Sequence, residues 1–208
     1  MIAVVDYGMG NLRSVQKGLE KVGVRAEVTR DVARIDRADA VVLPGVGAFG
    51  ACMANLRELG LVAPVLRAIE ADRPFLGICV GMQLLFEESE EYGPVAGLGV
   101  LPGRVRRFAD RATLKVPHMG WNQLSIHGDV PQLAGIDDGS FVYFVHSYYV
   151  DAGSPEIVAA TTEYDVRFAA AVRRGNLFAT QFHPEKSQSI GLRILENFGR
   201  LVARGEAA

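Results

Sequence analysis

At 208 residues and 49% hydrophobic content, the chain has enough apolar material for a substantial core, and residues 1–208 are expected to fold as one domain. Its 22 basic and 24 acidic residues, with a pI of about 6.1, leave no electrostatic footprint for nucleic acid, and no apolar run reaches the ~18 residues of a membrane helix. Two cysteines in apolar segments are too few for a disulfide framework and no basic, signal-like region opens the chain, so a reducing, cytoplasmic location is expected.

Residues 2–5 predict a buried strand. The turn Tyr7-Gly8-Met9-Gly10 leads to Asn11 as a helix N-cap; Leu12, Val15, Leu19 and Val22 recur at helical spacing, and Gly23 ends the helix. Strands follow at 25–28, 40–43 and 75–78, with helices at about 48–58, 61–71 and 80–88. This alternation predicts an α/β fold with a doubly wound, mostly parallel central sheet. After Gly93 the texture changes. Strand-like runs near 100–108, 113–117, 121–126 and 141–150 are separated by Gly, Pro and Asp, so the second half is expected to be antiparallel or mixed. Residues 168–172 and 177–182 bracket Arg173-Arg174-Gly175-Asn176 as a hairpin, and a last helix at 189–203 carries Ile194, Phe198 and Leu201 inward.

The run Gly77-Ile78-Cys79-Val80-Gly81-Met82-Gln83 falls where a strand gives way to a helix. A thiol attacks as thiolate, and the N–H groups of a helix N-terminus favour that charge. A sharp strand-to-helix turn crowds the positions two before and two after the nucleophile, which Gly77 and Gly81 satisfy, and it turns the Val80 N–H toward a developing oxyanion. Cys52 has no such setting and reads as a buried structural cysteine. His183 follows an apolar strand, and Glu185, two residues on along an extended chain, points to the same side and can orient the imidazole while its other nitrogen serves the thiol. His118, His146 and His127 lack that adjacent carboxylate. The glycine-rich turn Pro44-Gly45-Val46-Gly47 ends another strand, so the N–H groups of Val46 and Gly47 can complete an oxyanion hole. Gln83 shares the helical face of Cys79 and can bind substrate. Gly8-Met9-Gly10 lacks the third glycine of a dinucleotide fingerprint, no phosphate-binding GxxxxGK[ST] occurs, and Cys and His spacing fits no zinc site; neither cofactor nor metal is expected.

GICVGMQ together with FHPE resembles the catalytic signature of triad-type, class I glutamine amidotransferases, and PGVGAFG at 44–50, PHMGWN at 117–122, His146-Ser147-Tyr148 and QFHPEKSQ at 181–188 resemble the glutaminase subunits of imidazole glycerol phosphate synthases. The resemblance covers nearly the whole chain and implies the flavodoxin-like fold of that class. It implies that Cys79 attacks the side-chain amide of glutamine to form a glutamyl thioester, that His183 accepts and delivers protons, and that Glu185 holds His183. It also implies contacts to glutamine from Gly47, Gln83, Glu91, Ser147 and Tyr148, with Glu87, Glu88 and Glu90 crowding the same stretch as Glu91. Val80 stands where the family often has leucine, a mild change where a backbone N–H is the contribution.

One domain without an acceptor-activating motif must pass its ammonia on. By the resemblance the recipient is a separate (β/α)8 cyclase subunit that makes imidazole glycerol phosphate in histidine biosynthesis. Asn11 and Arg13, with His118, Met119, Trp121 and Asn122 of PHMGWN, are the interface candidates. Rival readings are the same glutaminase chemistry serving another synthase, a regulatory or binding module with a silent triad, and a cysteine peptidase or other thiol hydrolase.

Overall fold

The computed structural model describes residues 1–110 and 114–205. Its first half contains β1 (Ile2–Val5), α1 (Leu12–Lys21), β2 (Ala26–Thr29), α2 (Val32–Arg37), β3 (Ala40–Gly45), α3 (Phe49–Glu58), α4 (Val62–Glu70), β4 (Phe75–Cys79) and the one-turn α5 (Val80–Gln83). The second half is mostly strands: β5 (Phe86–Ser89), β6 (Val95–Ala96), β7 (Leu101–Arg107), β8 (His118–Gln123), β9 (Ser125–Ile126), β10 (Phe141–His146), β11 (Tyr148–Ala152), β12 (Val158–Tyr164), β13 (Val166–Arg174) and β14 (Leu177–Thr180). The helix α6 (Gln188–Gly205) follows them.

The central sheet runs β2-β1-β3-β4-β14-β13-β12-β9. Its first five strands are parallel, and the last three continue it antiparallel. Every residue of β1, β3, β4 and β14 is buried, the pattern of strands covered on both faces. β11-β7-β5-β6 form a second sheet, and β10 pairs with β8 as a ribbon. The expected α/β architecture, mostly parallel with a mixed second half, is the one observed. Among the described residues no single helix is long and apolar enough to cross a membrane.

Four local expectations are corrected. The helix expected over 80–88 stops at Gln83, because Leu84, Leu85 and Phe86 give their carbonyls to the N–H groups of Leu98, Gly99, Val100 and Leu101 instead of to a following helical turn. All three side chains are fully buried, which suits a strand entering a sheet better than a one-faced helix. The run 113–117 forms no strand at its described positions, 114–117: Pro117 has no N–H for a ladder, β8 begins at His118, and Thr113 lies outside the described residues. The run 141–150 is two strands broken at Ser147, β10 pairing with β8 and β11 with β7. The helix α2 was not expected; Asp31 caps it, accepting from the N–H of Ala33 at 2.8 Å and of Arg34 at 3.3 Å. Asn11 occupies the N-cap position of α1, and its side chain makes no capping bond.

Candidate active site

Cys79 is the last residue of β4, flanked in register by Gly45 of β3, and Ile78 beside it pairs with Thr180 of β14. Its backbone lies at φ 55°, ψ −111°, a conformation that non-glycine residues adopt only when the surroundings hold them there. Those surroundings are tight. A Cβ on Gly77 would stand 3.0 Å from the Gly81 carbonyl oxygen, and one on Gly81 would stand 1.8 Å from the Leu43 carbonyl oxygen. Backbone packing thus leaves no room for a side chain at Gly81 and little at Gly77, the two glycines that flank Cys79 in the motif. Val80 opens α5, so its N–H has no acceptor within the helix and is free to face a substrate oxygen.

β14 ends at Thr180, and the chain continues past Cys79 to His183, whose N–H donates to the Tyr143 carbonyl at 3.0 Å. Ser187 clasps the same segment: its Oγ donates to the His183 carbonyl at 2.7 Å and accepts from the Tyr143 N–H at 3.0 Å. With the backbone fixed, His183 Nδ1 bonds Glu185 Oε1 at 2.8 Å, and both side chains are buried. His183 Nε2 is buried and makes no well-formed hydrogen bond, leaving it for the neighbouring thiol. Burial disfavours a charged imidazole, but Cys79 and Glu185 outweigh it and raise His183 to about 10. His183 is thereby a base able to take and hold a proton beside the sulfur.

The end of β3 and the loop after it are each held by a side chain. Tyr7 OH donates to the Pro44 carbonyl at 2.7 Å, and the Cys52 thiol lies 3.5 Å from the Val46 carbonyl. Burial pushes the Cys52 thiol up to about 11, so it remains a neutral packing group. Gly47 sits at φ 90°, where a side chain would be strained.

A cavity of about 310 Å³ opens onto the sulfur. Val46, Gly47, Cys79, Val80, Gln83, Glu91, Ser147, Tyr148 and His183 all line it, together with Pro117, Val145, His146 and Lys186. The acidic stretch sorts itself. Glu87 accepts from the Gly103 N–H, Glu90 from the Arg107 N–H, and Glu91 from the Phe49 N–H at the start of α3, at 2.6 Å; of these three, Glu91 faces the cavity.

Strand alternation divides the interface candidates. Met119 and Trp121 project outward from β8 at 63% and 46% exposure, and Trp121 meets Tyr143 edge-on. His118 faces the other way and is buried at 3%, so it offers no docking surface. Asn122, on the same side, is half-buried and donates to the Glu163 carbonyl. Asn11 is half-buried and Arg13 exposed at the start of α1. Sequence reasoning missed Gln181, fully buried with Nε2 3.6 Å from Cys79 Sγ. Its one signal was a polar residue interrupting the apolar run just before His183.

The fold is that of one enzyme class. The family model for "Glutamine amidotransferase class-I" matches residues 3–201, and the chain belongs to that family. Among solved structures the fold is shared with a glutamine amidotransferase (TM-score 0.75, 23% identity, 98% of this chain and 100% of that one). It is shared also with the glutaminase domain of Trypanosoma brucei CTPS (TM-score 0.72, 18% identity, 98% and 93%). The chain is 59% identical over 204 residues to the imidazole glycerol phosphate synthase subunit HisH of Syntrophotalea carbinolica, covering 96% of this chain and 99% of the relative. To the HisH subunit of Geobacter sulfurreducens it is 57% identical over 205 residues, covering 96% and 98%.

Proposed function

We propose that this chain is a glutaminase subunit of the HisH kind, hydrolysing glutamine to glutamate and ammonia and passing the ammonia to a separate (β/α)8 cyclase subunit that makes imidazole glycerol phosphate. The observation that carries this reading is Cys79, held at φ 55° at the end of β4 on the wall of the cavity that His183 and Glu185 also serve. His183 Nε2 takes the thiol proton, and Cys79 Sγ attacks the side-chain carbonyl carbon of glutamine. The oxygen becomes an oxyanion facing the N–H of Val80 and an N–H of the Val46–Gly47 turn, where one well-aimed donor contributes about 3 kcal/mol. The C–N bond then breaks as His183 returns its proton to nitrogen, releasing ammonia and leaving a thioester. Water, deprotonated by His183, attacks the thioester and frees glutamate and the thiol. Glu185 accepts from Nδ1 throughout, fixing the tautomer that leaves Nε2 for chemistry.

Gly47, Gln83, Glu91, Ser147 and Tyr148 are the substrate contacts in this reading, with Glu91 suited to the α-ammonium group by charge. Met119 and Trp121 supply the apolar docking surface for the cyclase, with Arg13 and Asn11 nearby in role. The chain acts as one domain, and its free thiol suits a reducing cytoplasm. The test is product formation by this chain mixed with the cyclase, its ribonucleotide substrate and either glutamine or ammonium. Cys79→Ala should abolish the glutamine-dependent reaction and leave the ammonium-dependent one; glutamine-dependent turnover by the variant would overturn the reading.

A further inference from the structure

Gln181 lies behind Cys79, outside the cavity that the sulfur faces, and is fully buried. Its Oε1 accepts from Gln83 Nε2 at 3.0 Å, and its Nε2 lies 3.6 Å from Cys79 Sγ. Gln83 Nε2 spends its other hydrogen on the Tyr148 carbonyl at 3.0 Å. A carbonyl only accepts, so Gln83 must present its NH₂ there; Gln181 must then offer oxygen to Gln83 and its own NH₂ to the sulfur.

The same Tyr148 carbonyl accepts from His146 Nδ1 at 2.8 Å. His146 Nε2 is therefore the acceptor for His118 Nδ1 at 3.0 Å, and His118 Nε2 the acceptor for Asn122 Nδ2 at 3.3 Å. Asn122 cannot turn over, since its Nδ2 also donates to the Glu163 carbonyl at 3.0 Å and its Oδ1 accepts from the Gln123 N–H at 2.8 Å. One amide orientation and one ring tautomer satisfy the whole run from Asn122 to Cys79. Phe144 and Tyr164 stack on His118 at 4.8 and 4.0 Å, and Phe108 and Phe168 pack beside both imidazoles, so the bonds sit in an apolar cage.

We propose that Gln181 holds the Cys79 sulfur for attack, and that the uncharged His118–His146 pair, acting through Tyr148 and Gln83, is the positioning element that keeps the Gln181 amide turned toward it. The inference rests on the glutaminase reading above. An N–H aimed at sulfur is charge-assisted once the thiol ionises, so Gln181 favours the thiolate and restricts where its lone pair points. Because Gln181 touches the reacting atom and lines no part of the cavity, its contribution belongs to kcat and not to KM.

Gln181→Met keeps length and removes the donor. In the complex with the cyclase it should lower glutaminase kcat roughly 10- to 100-fold with KM for glutamine changed less than about twofold. The pH midpoint for alkylation of Cys79 by iodoacetamide should rise by roughly one unit. His118→Phe, which deprives His146 Nε2 of its donor at a distance from the cavity, should move both readouts the same way by a smaller amount, and serves alone if Gln181→Met does not fold. A folded variant with wild-type kcat and an unchanged alkylation profile overturns the proposal. Cys79→Ala separates the two readings: if it is inactive while Gln181→Met behaves as wild type, this inference alone fails, whereas glutaminase activity in Cys79→Ala removes the reading beneath it.

Discussion

A Cβ on Gly81 would stand 1.8 Å from the Leu43 carbonyl oxygen, so the turn after Cys79 is pressed directly onto the strand that leads into Val46 and Gly47. Leu43 is followed by Pro44-Gly45-Val46-Gly47, and the two halves of the proposed oxyanion hole are therefore set by one backbone contact. Gly81→Ala must push α5 or β3 aside. We expect a loss of about 1–3 kcal/mol in urea unfolding, the usual cost of overpacking, and loss of most glutaminase activity. Gly60→Ala is the control, since a Cβ there meets nothing within 4 Å, although its φ of 66° carries some backbone strain. Activity near wild type in Gly81→Ala would contradict the contact.

Glu185→Gln leaves a hydrogen-bonding oxygen near His183 Nδ1 and removes the charge. The amide can also present its NH₂ and favour the wrong tautomer, so kcat should fall by about 10²- to 10⁴-fold while KM stays close to wild type. The variant should also react with iodoacetamide more slowly at neutral pH, because an imidazolium without its carboxylate supports the thiolate less. Equal kcat in the two proteins would remove Glu185 from the chemistry.

Histidine titration gives a pH window for stability. Burial lowers His118 to about 4 and His146 to about 3, with Tyr148's carbonyl partly opposing and His118 and His183 reinforcing the shift of His146. Here the unfolded chain takes up protons first, so stability is present above pH 6.5 and is lost as pH falls through these folded values. Urea unfolding between pH 4.5 and 6 should show a slope that His118→Phe makes shallower by about one proton, near 1.4 kcal/mol per pH unit. Parallel slopes would show that His118 is already charged in the folded protein.

The elbow was legible in the sequence because its demands are local. Gly77, Cys79 and Gly81 lie within five residues, and His183 and Glu185 within three, so spacing alone conveys the geometry. The parallel core was legible for the same reason, since β1, β3 and β4 are continuous apolar runs. What escaped was decided by partners far along the chain. Residues 84–86 leave the helical path because 98–101 supply their hydrogen-bond donors, and Gln181 meets Cys79 because β14 and β4 pair in one particular register. The inward turn of His118 depends on β8 pairing with β10, which places Met119 and Trp121 on the opposite face. Nothing in PHMGWN alone distinguishes those sides.

The acidic stretch at 87–91 gives a discriminating test. Glu91 reaches both the cavity and the first N–H of α3, where a carboxylate is favoured by the helix terminus. Glu91→Ala should raise KM for glutamine at least about tenfold, the worth of a charge-assisted hydrogen bond, and lower stability by about 1 kcal/mol. Glu87→Ala loses a bond to Gly103 on the far side and should leave KM unchanged. Steady-state kinetics of the two variants decide between them; an equal rise in KM would remove Glu91 from substrate binding.

Trp121 and Met119 are large apolar side chains held in the open by a two-stranded ribbon, with Trp121 braced edge-on by Tyr143 at 6.0 Å between ring centroids. Exposed aromatic and methionine side chains of this kind supply the anchors of protein interfaces, where a few residues carry most of the binding energy. Trp121→Ala removes little that the isolated fold depends on, so its unfolding free energy should stay within about 0.5 kcal/mol of wild type. Its affinity for the cyclase should fall about 30-fold or more, the equivalent of roughly 2 kcal/mol, by calorimetric titration. Glutaminase activity measured at saturating cyclase should recover in part, separating weakened docking from damage at Cys79. Wild-type affinity in both Trp121→Ala and Met119→Ala would move the docking surface away from β8.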